Sequence, residues 1–182
     1  LLPIVALVAT YMAIAGERES GGVKFLLGFP NTRRDVFLGK LASRLLVVSV
    51  AVAFCFVAAT TVAAAKHGVV LLALAVGLLA LTLVYGTAFV SIALSLSASF
   101  ATRSRAIVGA FGSYFLLVLL YVVPGIRLTA IVRWVHTSIL GLDANVDLYN
   151  AVTFTSPYVA YRKATNLLLP DDQQTQVLFR SE

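Results

Sequence analysis

His67 and His136 are the only histidines in this sequence, Cys55 the only cysteine and Met12 the only methionine, so few kinds of side-chain chemistry are open to it. A zinc site needs several nitrogen or sulfur ligands at close spacing. Neither histidine has an acidic residue or a cysteine three or four positions away, and both read as ordinary interfacial residues. Cys55 lies within an apolar run and can form no disulfide inside the chain. Ser113, in Gly112-Ser113-Tyr114, has no base nearby to activate it as a nucleophile. Asp143, Asn145 and Asp147 imitate the start of a calcium loop. The imitation fails at Leu148, where the loop needs glycine, and at Phe154, where it needs a bidentate glutamate. The phosphate-binding string GxxxxGK[ST] is absent, which excludes a nucleotide hydrolase. What remains is a stripe of hydroxyls, Thr87, Ser91, Ser95 and Ser99, at every fourth residue with Gly86 beside its start. Such a stripe lets helices approach and hydrogen-bond in lipid, and its second reading is the wall of a substrate path. No catalytic and no metal-binding residue is expected, and no cofactor.

The elements that must position these groups follow from composition. Of 182 residues, 60% are hydrophobic and only 12% charged, against about 25% charged in a typical soluble domain. Mean hydropathy is +0.94. Charge is absent from Leu1 to Gly16, Leu45 to Ala65, His67 to Thr102 and Ala106 to Ile126. Since about 20 apolar residues cross a bilayer, the sequence predicts an all-α polytopic membrane protein, a helical bundle with spans at about 1–15, 41–65, 69–98 and 106–124. The first interval is short, holds Pro3 and lacks both an initiating methionine and the basic segment of a signal peptide, so it reads as the latter part of a span in a longer protein. A further C-terminal span is likewise expected beyond Glu182.

The net charge is +6, and its placement is the informative part. The segment from Gly16 to Arg44 holds six Lys or Arg against three acids, the turn near Lys66 holds one basic residue, and the turn at Arg103 and Arg105 holds two. After Pro124, five basic residues balance five acidic ones. Basic residues mark the cytoplasmic side, which puts the long segment and the Arg103 turn inside and the Lys66 turn and the tail outside. With all the basic residues at membrane boundaries, no soluble basic face exists to track nucleic acid.

Gly16 to Lys40 is the stretch on which the sequence is organised. Glu17, Arg18, Glu19, Lys24, Arg33, Arg34, Asp35 and Lys40 fall in it, between two nearly uncharged runs. Ser20 is placed to cap a short helix that Gly28 and Pro30 would stop. On it, Val23, Leu26 and Leu27 share one side with Phe25 and Phe29 adjacent, an apolar knob ringed by charge. Thr32 and Asp35 fit a capping box that opens a second helix running into the next span. Along it, Arg33, Phe37, Lys40 and Arg44 form a stripe that suits membrane lipid head groups or a cytoplasmic partner. Farther on, Lys66, His67 and Gly68 make a tight turn, and Gly109 with Ser113 is a small-xxx-small pair ahead of Tyr121 and the stop at Pro124-Gly125. The two parts are then a transmembrane domain over 1–125 and an extracytoplasmic segment over 126–182. From Ile126 to Leu140, Ile131, Trp134 and Val135 at helical spacing suit a helix lying in the outer interface.

The organising stretch resembles a loop of the ABC-2 permeases, the membrane subunits of type-2 ATP-binding-cassette exporters. The residues that carry the likeness are Glu17-Arg18-Glu19-Ser20-Gly21, Leu26-Leu27, Pro30, Arg33-Arg34 and Gly39-Lys40, about 25 residues in all. Ser99 to Arg105 followed by Ala106 to Tyr121 is similar to bacterial and archaeal members, including the permease group associated with nitrous-oxide reductase maturation. The family has more spans than the four intervals counted here. The resemblance implies a multi-pass permease of the cell membrane whose cytoplasmic loop 16–40 forms a coupling helix. That helix would dock on a separate ATPase subunit through Glu17, Glu19, Phe25, Leu26 and Leu27, in a coupling set that also includes Arg18, Pro30, Arg33, Arg34 and Lys40. ATP and Mg would belong to the ATPase, a second permease copy would complete a dimer, and transport would be export. A membrane scaffold that recruits some other soluble protein is the alternative.

Overall fold

The structure, a computed structural model, describes residues 2–22, 32–68, 72–123 and 126–169. Among them every regular element is helical. The first apolar run forms α1 (Leu2–Thr10), which breaks over a turn and resumes as the short α2 (Ala15–Glu19). Next come α3 (Arg33–His67) and α4 (Leu72–Ser99). The fifth helix, α5, runs from Arg103 to Val122 with a π-helical turn at Phe115–Leu119. Three further helices follow: α6 (Leu128–Trp134, continuing as a π turn over Val135–Ile139), α7 (Val146–Phe154) and α8 (Pro157–Leu168).

Local chemistry accounts for the ends of α3. Thr32 accepts the Asp35 amide on its side chain while the Asp35 carboxylate takes the Thr32 amide at 2.8 Å, the reciprocal box that satisfies two free donors of the first turn. At the far end Gly68 closes the helix with φ +70°, a left-handed conformation open to glycine at no steric cost. The helix starts in the charged stretch at Arg33 and enters the apolar run without a break.

Among the described residues, three helices are long and apolar enough to cross a membrane, over Arg33–Lys66, Leu72–Ser99 and Arg103–Val122, with 34, 28 and 20 residues. At 1.5 Å per residue they reach about 51, 42 and 30 Å, and a hydrocarbon core is about 30 Å thick. The run expected to span over 1–15 is different, because α1 has only nine residues, about 14 Å, before its ladder breaks at residues 11–14. Ser20 also departs from expectation: it follows the last turn of α2, and its hydroxyl donates to the Glu17 carbonyl at 3.3 Å. The helix expected to begin there falls on residues 23–31, outside the described residues.

The centre of the bundle is α4. Thr82, Tyr85, Gly86, Phe89, Val90, Ala93, Leu94 and Ser97 are buried, a single stripe at helical spacing. Its other faces are equally apolar, with Val76 and Val84 exposed, and α3 likewise exposes Leu46, Val50 and Phe54. Greasy surface on both the inner and outer faces is what lipid as solvent permits. Leu2 of α1 and Val48 of α3 meet at Gly86, each within 3.6 Å of where a β-carbon would sit. At Gly109 the ring of Phe100 already occupies that position, which explains the glycine more directly than helix–helix approach does.

Residues 126–169 are a folded part of this bundle. Tyr161 of α8 stacks on Tyr85 with ring centres 4.4 Å apart, at the midpoint of α4. Leu168, seven residues on, meets Gly77 near the start of α4, so α8 runs antiparallel to it. The Ser156 hydroxyl at the α7–α8 corner donates to the Leu117 carbonyl, and the Tyr121 hydroxyl donates to the Val152 carbonyl at 2.9 Å. These contacts pack the α7–α8 corner against α5. The stretch Ile126–Leu140 does contain a helix, α6, which is held to α7 by His136 and Tyr149 at 2.9 Å. Asn145, part of the calcium-loop imitation, caps α7 by accepting the Leu148 amide at 3.0 Å.

Candidate functional site

The break between α1 and α2 builds the site. Ala13 turns back to Thr10 and Gly16 to Met12, which leaves the Ile14 and Ala15 amides as the free donors of the new helix. Both donate to one oxygen, Ser97 Oγ on α4, at 3.0 Å each. Ser97 and Ala15 have no exposure at all. A hydroxyl 82 residues away thus does what an N-cap residue does within a helix.

Ion pairs extend the attachment. Lys40 on α3 donates to Glu17 Oε1, with the lysine side chain 21% and the glutamate 35% exposed. On the opposite side, Glu19 Oε2 accepts the Arg103 backbone amide at 2.7 Å and lies 3.9 Å from Arg103 Nε, near enough for charge attraction but too far for a hydrogen bond. The Arg103 guanidinium donates to the Gly16 carbonyl at 3.3 Å, and Arg18 donates to the Phe100 carbonyl at 3.2 Å. So α2 is held on one side by the first turns of α3 and on the other by the α4–α5 turn. A cavity of about 550 Å³ opens beside it, lined by Ile14, Glu17, Arg18, Arg33, Phe37 and Ala98 among others.

Of the residues expected to act in coupling, the structure brings together Glu17, Arg18, Glu19, Arg33 and Lys40. Arg34 is exposed and points to no partner among the described residues. Phe25, Leu26, Leu27 and Pro30 lie outside the described residues. Of the stripe Arg33, Phe37, Lys40 and Arg44, Arg33 and Phe37 face the cavity and Lys40 binds Glu17 of α2. Sequence reasoning missed Ser97 and Arg103 as partners of α2. The only local signal was Arg103's place in a charged turn between two spans.

The hydroxyl stripe behaves differently from its first reading. Thr87 donates to the Leu83 and Val84 carbonyls and Ser99 to Ser95, all within α4, and Ser95 and Ser99 are exposed. Among the described residues, no hydrogen bond from Thr87, Ser91, Ser95 or Ser99 reaches another helix. The hydroxyls that do cross are Ser97 and Thr82, on the buried side. No group of three or more metal-ligating side chains occurs among the described residues.

The described residues form a helical bundle with three membrane-length helices and a clamped, charged segment at one end, and comparison with known proteins gives the family. The model of the ABC-2 family transporter proteins matches residues 1–179, so the chain belongs to the ABC-2 transporter family. It is similar to two permeases described as "Probable ABC transporter permease protein NosY". The one from Pseudomonas aeruginosa is 32% identical over 125 residues, covering 66% of this chain and 46% of the relative. The one from Stutzerimonas stutzeri is 36% identical over 126 residues, covering 66% and 45%. The chain therefore spans about half the length of the curated relatives it matches.

Proposed function

We propose that the chain is the permease part of an ATP-binding-cassette exporter of the cell membrane, and that the segment from Gly16 to Lys40 lies in the cytoplasm and receives the stroke of a separate ATPase subunit. The observation that carries this reading is the double attachment of α2, to α3 through Glu17 and Lys40 and to the α4–α5 turn through Ser97, Glu19 and Arg103. A docking surface between α2 and α3 would have its displacement passed to three long helices through short polar contacts. ATP and Mg act on the ATPase; this chain contributes binding and motion, and two copies of it enclose a path. The basic balance around the segment supports a cytoplasmic position.

The test is co-purification in detergent with the ABC ATPase subunit of the same transporter. Leu26→Asp with Leu27→Asp should abolish binding, and full retention would overturn the docking assignment. Labelling of Lys24 from outside intact cells would overturn the topology. Recruitment of a different soluble protein by a non-transporting scaffold is separated by cysteine cross-links across Thr87 to Ser99, which change with ATP only in a transporter.

A further inference from the structure

A second cavity, about 350 Å³, lies on the far side of the bundle from the charged segment, between α1, α4, α5 and α8. Four tyrosines from three helices line it: Tyr85, Tyr114, Tyr158 and Tyr161, with Thr82 beside them. Tyr161 has a partner, since its hydroxyl and Thr82 Oγ1 are 3.0 Å apart. The hydroxyls of Tyr85, Tyr114 and Tyr158 have none among the described residues. Tyr85 is 93% buried by residue, its exposure being 7%, and it stands at the midpoint of a membrane-length helix. The Tyr85 hydroxyl is not itself enclosed and lines the cavity, where water or a ligand can pair with it at membrane depth.

The lining also says what kind of ligand. No charged residue borders the cavity among the described residues, so neither a phosphate nor an ammonium finds a counter-ion. Cation–π recognition needs an open ring face. Tyr161 covers one face of Tyr85 in a stack tilted by 18°, and Phe89 stands against its ring edge-to-face at 5.1 Å. With no charged side chain in the lining and the Tyr85 ring already packed, the hydroxyls of Tyr85, Tyr114 and Tyr158, set in apolar walls, are the polar groups open to a ligand. The volume is within the range of small-molecule pockets.

We propose that this cavity is an intramembrane binding site for an uncharged amphiphile that presents oxygen acceptors, a glycerolipid ester in chemical class. Acyl chains lie along Val118, Leu119 and Val122 while ester carbonyls accept from the three phenols. The proposal goes beyond the coupling role and does not depend on it, because none of the charged-segment residues takes part.

The experiment uses the full-length permease in proteoliposomes and a benzophenone-bearing diacylglycerol, with peptide mapping after illumination. Labelling of the α5 peptide containing Leu119 should saturate and be competed by dioctanoylglycerol. With Tyr85→Phe, Tyr114→Phe and Tyr158→Phe combined, which keep the rings, the concentration for half-competition should rise at least about tenfold, since each net hydrogen bond contributes roughly two- to tenfold. Tyr114→Phe alone, expected to shift it about threefold, serves if the triple variant is not folded. A benzophenone alkane of equal length should label both proteins alike. Labelling that does not saturate, or competition unchanged by the phenylalanines, would overturn the proposal. So would absence of labelling because other residues of the full-length protein fill the space.

Discussion

Replacing Ser97 by alanine removes a single oxygen that two amides share. Ile14 and Ala15 donate to it at 3.0 Å, both among the buried residues, and neither finds an acceptor one turn back because the ladder is broken there. A buried amide without a partner costs about 1–3 kcal/mol. Two of them set an upper limit of about 6 kcal/mol, and partial relaxation of so short a helix as α2 brings the expected loss to about 2–4 kcal/mol. The loss is local, confined to the attachment of α2, so amide hydrogen exchange is the assay. At tenfold per 1.4 kcal/mol, protection of the Ile14 and Ala15 amides should fall by a factor of about thirty to several hundred, while the middle of α4 keeps its protection. Ser99→Ala provides the control, since Ser99 is exposed and bonds only to Ser95 in its own helix. Unchanged exchange at residues 14 and 15 in the Ser97→Ala protein would refute the idea that this hydroxyl caps α2.

Lys40→Ala leaves the Glu17 carboxylate without its cation, and the other Glu17 oxygen is already buried without a partner; partial exposure limits the expected cost to about 1–2 kcal/mol in detergent melts, and the Glu17→Gln, Lys40→Ala double variant should recover part of it. Gly109→Ala drives a methyl into the Phe100 ring and should cost about 1–3 kcal/mol, with Phe100→Leu restoring stability; equal melting of Gly109→Ala and the parent would contradict the packing. Tyr161→Phe keeps the stack on Tyr85 and loses only the hydroxyl contact with Thr82, about 0.5–1.5 kcal/mol, whereas Tyr161→Ala loses both and should cost about 3–5 kcal/mol. If melting does not fall in that order, α8 is not anchored where the structure puts it.

What the sequence revealed depended on whether a feature was local. Charge-free length identified the spanning helices, and Thr32 with Asp35 announced the start of α3, because a capping box needs residues only three apart. Gly68 marked its end for the same reason. Ser97 and Arg103 were invisible as site residues because their partners stand more than 80 positions away. The hydroxyl stripe could not be placed on the bundle for a related reason: all faces of α4 are apolar, so period alone could not say which face turns inward. Thr87 and Ser95 look like the polar seam, while Thr82 and Ser97 occupy it. From residue 126 onward the sequence has no charge-free run long enough to span, and only the stack of Tyr161 on Tyr85 reveals how far down α8 packs.

The two attachments of α2 are unequal, and the inequality has a mechanical consequence. Toward α3 there is one ion pair, partly open to solvent. Toward the α4–α5 turn there are two buried amide bonds to Ser97, two hydrogen bonds to backbone carbonyls, and Glu19 on the Arg103 amide. A partly exposed pair contributes about 1 kcal/mol, whereas each buried amide bond costs as much or more to break. If α3 and the α4–α5 turn are pulled apart at this end, the Glu17–Lys40 contact therefore yields first and α2 travels with α4 and α5.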